Sequence, residues 1–254
     1  MNLANRLSVT LAALAALGLA ALPSQAGTTT QSIGIKLAAD GNTTLAPSES
    51  AGAFSQVNWN NFGVSTGSSS ILNDSSGTLV SGATLAYSGP YTFSGIPVTS
   101  DSNTKLLSTR VETNDGAKAV SVTVSGLSFA KYDVYAYFGS DGGGRFGNVG
   151  IVGGTTYYYQ TVGNPNGAYS LTTSTVSTDP RPASDYAIFS GLTASSFTLK
   201  QFREGSNSGI FGLQVVNTSP VPEASQGAVF GLCLLGLTGV ALKARKRKAG
   251  TTTA

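Results

Sequence analysis

The residues of this sequence that could carry out catalysis are carboxylates. Their spacing along the chain does not identify any two of them as a catalytic pair. No histidine occurs in the 254 residues, and the single cysteine is Cys233. Ser-His-Asp and Cys-His catalysis are therefore excluded, as are histidine-based zinc, copper and iron sites. Two paired carboxylates, as in glycoside hydrolysis, remain the only catalytic route. We predict no enzyme, no cofactor and no metal site, although the conceivable catalytic acids are Asp74, Glu112, Asp115, Asp133, Asp141, Asp185 and Glu204.

Two segments have the residue types of a glycan contact. Asn58, Trp59 and Asn60 combine the only tryptophan with amides that could hydrogen-bond a sugar. The segment from Asp141 to Arg145 reads DGGGR, so backbone N–H groups could approach a ligand while Arg145 binds the carboxylate of an acidic sugar. We favour the structural alternative for both segments, in which Trp59 anchors the core and DGGGR is a flexible hairpin loop.

Three consecutive tyrosines offer a further aromatic surface. On a strand, successive side chains point to opposite faces. Either Tyr158, or Tyr157 together with Tyr159, must therefore face outward. An exposed tyrosine could contact a sugar ring, although cross-strand stabilisation is its commoner role.

Short runs that alternate apolar and polar residues must position these groups. Such period-two patterns predict half-buried strands at 33–37, 120–124 and 134–138. We expect the second and third of these to be neighbours, with Gly126 turning the chain between them. About ten short strands with glycine-rich turns indicate an all-β protein, an antiparallel, jelly-roll-like β-sandwich. The other predicted elements are strands at 83–88, 148–152, 155–162, 168–175, 185–190, 195–202 and 209–217, and one helical turn at 104–110.

The two ends of the chain predict export. Residues 1–26 have the basic start, apolar run and small residues of a signal peptide, with cleavage between Ala26 and Gly27. Residues 27–217 form the exported domain, and 218–226 form a linker. An apolar transmembrane helix at 227–242 and a basic cytoplasmic tail at 243–254 follow. The positive residues that stop transfer are Lys243, Arg245, Lys246, Arg247 and Lys248.

The linker carries the motif Val221-Pro222-Glu223-Ala224. Together with the apolar helix and the basic end, it resembles the PEP-CTERM sorting signal of Gram-negative bacteria. Ala224 stands where that family has its second proline. The resemblance implies processing by an exosortase, a membrane-embedded transpeptidase, after transient insertion in the inner membrane. It also implies a setting of exopolysaccharide production and biofilm formation. A plain single-pass anchor is the alternative.

The exported part is slightly acidic. Six of the 15 basic residues lie in the two end segments, which leaves nine basic and 11 acidic residues between them, a net charge of −2. A nucleic-acid partner has no electrostatic support at this charge. The runs at 185–192, 195–202 and 209–216 resemble the closing strands of galactose-binding-like sandwiches. We expect a cell-surface or matrix protein; the alternatives are a carbohydrate-binding module and, third, a polysaccharide-degrading enzyme.

Overall fold

The structure, a computed structural model, describes residues 30–178 and 180–219. The predicted signal peptide, sorting motif, transmembrane segment and basic tail lie outside the described residues. No helix within these two ranges is long and apolar enough to cross a membrane. The described chain forms two β-sheets, which confirms the all-β prediction.

The first sheet has eight strands within the described residues. Six of them form one path, and two more extend it beside the longest strand. In spatial order they are β11 (Leu171–Thr172), β13 (Tyr186–Leu192), β8 (Tyr132–Gly139), β15 (Ser208–Asn217), β1 (Ser32–Leu37) and β2 (Asn60–Phe62), with β6 (Arg110–Thr113) beside β15 and β5 (Tyr91–Phe93) beside β6.

The second sheet has seven strands in the described chain. Every strand in it runs antiparallel to its neighbours except β12. The order is β12 (Ala183–Ser184), β10 (Thr156–Val162), β9 (Gly143–Ile151), β14 (Phe197–Glu204), β7 (Val120–Ser125), β4 (Thr84–Ser88) and β3 (Thr66–Ser69).

Most strand pairs are antiparallel, as predicted, but each sheet also contains parallel pairing and is therefore mixed. Strand β2 pairs with β1 in parallel, and the short strands β11 and β12 are also parallel to their neighbours. Alternating side chains have the same period in either direction, so the sequence pattern cannot reveal strand direction. The predicted strand at 168–175 is reduced to the two residues of β11.

The hydrophobic core lies between the two sheets. The alternating valines of β7 are buried and pack in one cluster with Val134, Ala136 and Phe138 of β8. The predicted half-buried pattern is confirmed for β7, whose intervening residues are only partly buried. These two strands nevertheless belong to different sheets, so the expectation that they are neighbours in one sheet is wrong. The left-handed backbone of Gly126, with φ of 70°, begins the crossing from one sheet to the other.

A cap covers the outer face of the eight-stranded sheet. It consists of residues 41–59, which begin with a 3₁₀ turn at Gly41–Thr43, and of helix α1 (Ser102–Leu106). Asp101 accepts a hydrogen bond from the backbone N–H of Thr104 at 2.8 Å, so the helix begins two residues earlier than predicted. A second apolar cluster lies beneath the cap. All residues of β1 are consequently buried, on both faces, rather than half-buried as predicted.

Candidate functional site

The DGGGR segment forms a corner between the sheets. Strand β8 ends at Gly139 in the eight-stranded sheet, and β9 begins at Gly143 in the seven-stranded sheet. The segment is therefore not a hairpin loop, because β8 and β9 do not pair. Arg145 Nη1 donates to Asp141 Oδ1 at 2.9 Å, to Ser140 Oγ at 2.6 Å and to the carbonyl oxygen of Asn207 at 3.2 Å. Two predicted site residues, Asp141 and Arg145, are thus brought together.

A second arginine joins this corner from β6. Arg110 has no solvent exposure, and its Nη2 lies 2.6 Å from Glu112 Oε2 and 3.1 Å from Asp141 Oδ1. Its guanidinium carbon also lies 4.0 Å from the centroid of the Phe93 ring, in cation–π geometry. We call Arg110, Glu112, Ser140, Asp141, Arg145 and Asn207 the corner cluster.

The corner cluster balances its own charges. Burial alone would raise the pKa of Asp141, but its own backbone N–H, the two arginines and Ser140 together outweigh burial and lower it. Asp141 is therefore ionised at neutral pH, and both carboxylates of the cluster are engaged by guanidinium groups. Such an arrangement fixes the corner and specifies its geometry. Arg110 Nη1 is buried and has no hydrogen-bond partner.

The asparagine–tryptophan segment has a structural role in the cap. Trp59 is only 5% exposed, its indole N–H donates to the carbonyl of Gln56 at 3.1 Å, and its ring meets that of Tyr137 edge-on. Asn60 donates to the backbone carbonyls of Gly34 and Asn73. Asn58 adopts a left-handed backbone, with φ of 55°, and donates to Ser75.

This geometry supports the structural alternative for the tryptophan segment. A ring that stacks on a sugar must expose at least one of its faces to solvent, whereas Trp59 is only 5% exposed. The side-chain amides of Asn58 and Asn60 donate to backbone carbonyls of β1 and of residues 73–75. No hydrogen bond or ion pair within the described residues joins Trp59 to the corner cluster.

The structure brings together only one pair of the candidate catalytic acids, Glu112 and Asp141, through Arg110. Burial raises the pKa of Asp185 to about 7, although this carboxylate accepts a hydrogen bond from the N–H of Ser170. The remaining acids each bind nearby groups. Asp74 accepts from Ser76 and Thr78, Asp115 from Ala117 and Asp133 from Gly191, and Glu204 pairs with Arg181. No group of three metal-ligating side chains occurs within residues 30–178 and 180–219.

The three tyrosines separate as strand geometry requires. Tyr159 points into the core, where burial raises its pKa to about 12, and Tyr157 packs beside Phe189. Tyr158 lies on the outer face of the seven-stranded sheet, paired in register with Asn148. Of the two alternatives left by the sequence, the structure selects Tyr158 as the outward residue.

Sequence reasoning missed a trough on this outer face. Asn148, Gly150, Val152, Thr156, Lys200 and Phe202 line it, and its volume is about 180 Å³. The alternation within 148–152 and 195–202 predicts which residues face outward, but only strand register can show that they meet. The sequence pattern therefore indicates which side chains face outward, but it does not indicate which strands are neighbours.

Fold and sites together define the class of protein as a two-sheet β-sandwich, with one sheet capped and the other open to solvent. No protein-family model matches the sequence, and no curated protein matches it.

Proposed function

We propose that this chain is an exported protein of the cell envelope or extracellular matrix, sorted through its PEP-CTERM-like tail. An exosortase-type transpeptidase would process the inner-membrane precursor, and the product would associate with exopolysaccharide or biofilm. The domain itself would be a jelly-roll-like sandwich of the galactose-binding kind without enzymatic activity. In support, the last four strands alternate between the two sheets, as in jelly rolls.

The observation that carries the proposal is how the folded domain ends. Strand β15 runs to Asn217, and the N–H of Thr218 donates to the carbonyl of Lys131 at 2.9 Å. Ser219 Oγ then accepts from the N–H of Lys131 at 2.9 Å. Packed structure therefore extends to Ser219, two residues before Val221. A folded domain joined so closely to the motif keeps its own contacts whether or not the tail is removed.

The domain is also suited to an extracellular location, although it contains no disulfide bond. No cysteine lies between residues 30 and 219, so its stability rests on the core between the sheets and on the cap. A chain of this length can bury enough apolar surface for that purpose. Such a domain folds identically under reducing and oxidising conditions.

Mass spectrometry of the mature C-terminus in its native host tests the proposal. We expect surface material to end within residues 221–224, and an exosortase deletion to leave the intact tail on a membrane-bound precursor. Pro222→Ala with Glu223→Ala should block processing, whereas the matched pair Ser225→Ala with Gln226→Ala should not. Surface material that retains the KARKRK end would identify a plain anchor instead.

A further inference from the structure

Three neighbouring strands of the seven-stranded sheet align an amide between two aromatic rings on the outer face. In register, Asn148 of β9 lies opposite Tyr158 of β10 on one side and Phe202 of β14 on the other. All three are partly buried. Cross-strand neighbours on one face have Cβ atoms about 4.5–5.5 Å apart, so this row spans two strand spacings.

The next row along the strands opens the trough beside them. Gly150 of β9 lies between Thr156 and Lys200, and because it carries no side chain, the floor of the trough is backbone. Val152, in the turn between β9 and β10, is 59% exposed and closes one end. The result is a depression with an apolar wall at Phe202 and Val152.

The polar groups of the trough include one cation without an ionic partner. Lys200 is exposed and forms no ion pair within the described residues. Asn148 Nδ2 donates a hydrogen bond to Glu204 Oε1 at 2.7 Å. Glu204 is itself paired with Arg181 at 2.7 Å, so its charge is compensated. Arg181 in turn lies over the Tyr158 ring at 5.2 Å and holds that side of the row in place.

This combination fits a sugar chain better than an apolar ligand. Pyranose rings present an apolar C–H face that packs on aromatic and aliphatic side chains, and hydroxyl groups that bond amides. An unpaired ammonium adds affinity for a carboxylate. A shallow, open depression suits a polymer that lies across the sheet, since a small ligand requires a more enclosed pocket.

We propose that this trough binds an acidic polysaccharide chain, with Phe202 and Val152 against a sugar ring, Asn148 bonded to its hydroxyls and Lys200 paired with a uronate carboxylate. The inference rests on the proposed export to a polysaccharide-containing matrix, but assigns the binding to β9, β10 and β14 and not to Trp59. The exported part has a net charge of −2, so long-range attraction is absent and affinity depends on these contacts.

The test uses the full chain, purified in a detergent without sugar groups, on an array of uronate-containing and neutral oligosaccharides. We expect binding to uronate-containing chains, with a preference over neutral chains of the same linkage that decreases with added salt. Phe202→Ala should weaken binding about tenfold through loss of ring contact. Lys200→Met should weaken it about twofold to fivefold and abolish the preference, as expected for an exposed ion pair.

Two control variants isolate the trough. Thr84→Ala changes an exposed residue of β4 on the same sheet, outside the trough, and should bind as wild type does. Lys118→Met removes another exposed lysine, whose side chain is 68% exposed, and should keep the preference for uronate. Because Lys200 is exposed, its variant is expected to fold even if Phe202→Ala does not.

Several results would overturn the inference. These are absence of binding to every oligosaccharide, equal binding of neutral and acidic chains, or an effect of Lys118→Met equal to that of Lys200→Met. Mass spectrometry of the C-terminus separates this inference from the proposed function, since trough variants should be processed normally. A protein that is sorted correctly but binds no glycan contradicts only the trough.

Discussion

Replacing Arg110 by methionine should destabilise the fold more than any other single charge removal in the described chain. Methionine keeps apolar contact with Phe93, but it leaves Glu112 buried without a cation and Asp141 with Arg145 alone. Removing one partner of a buried ion pair typically costs about 3–5 kcal/mol, because the remaining charge is desolvated and unpaired. With Arg110 fully buried and the Glu112 side chain 7% exposed, we expect a loss in this range.

Urea unfolding of the full chain in detergent, followed by the fluorescence of buried Trp59, measures this loss. The slope of unfolding free energy against urea should stay unchanged, since the same surface is exposed. Arg145→Met is the control for a more exposed arginine of the same cluster. Because the Arg145 side chain is 25% exposed, we expect the unfolding free energy to fall by only about 1 kcal/mol. Adding Glu112→Gln to Arg110→Met should recover part of the stability by removing the stranded charge. If Arg110→Met costs no more than Arg145→Met, the buried ion pairs of Arg110 do not stabilise the corner cluster.

Three further outcomes are expected in the same urea assay. Burial lowers the pKa of Lys36 to about 7, so the unfolded chain binds this proton more tightly than the folded chain does. The unfolding free energy should therefore rise as pH increases from about 7 to 10. Lys36→Met should abolish this rise. Burial raises the pKa of Asp185 to about 7, so the unfolding free energy should fall as pH increases from about 4 to 7, and Asp185→Asn should lose that fall. Gly126→Ala should cost more than Gly153→Ala: both glycines have positive φ, for which alanine pays about 1–2 kcal/mol, but only at Gly126 would the new Cβ overlap the carbonyl of Gly82. Equal losses for the two glycine variants would contradict this packing argument.

The sequence predicts strands better than it predicts their partners. The alternation in 120–124 and 134–138 identifies β7 and β8 and their core-facing residues. The same alternation does not indicate to which sheet a strand belongs, because strands of both sheets present apolar residues to the core between them. Strands β2, β3 and β5 were missed for a different reason: they are short, sit at sheet edges and lack an apolar alternation.

The sequence predicts some residues of the candidate site, but it does not predict which residues lie next to them in the fold. Asp141 and Arg145 are near in sequence, and their pairing could be expected, whereas Arg110 and Glu112 reach them from a strand some 30 residues away. Trp59 is the only tryptophan of the sequence, and its burial agrees with the structural alternative. The trough residues are individually unremarkable in sequence. Only the register of β9 between β10 and β14 places Asn148 beside Phe202 and Gly150 beside Lys200.

The cap explains why a ligand surface is expected on one sheet and not on the other. Trp59 packs so closely on Gly34 of β1 that any Cβ there would meet its ring, and Gln214 of β15 bonds the carbonyl of Phe54 in the cap. Side chains on that face therefore pack against the cap, and for this reason all residues of β1 are buried. The seven-stranded sheet keeps its alternation of buried and partly exposed residues across β7, β10 and β14. The tryptophan that could have bound a sugar closes the first sheet, and by doing so leaves the second as the broad strand face on which the described domain can meet a polymer.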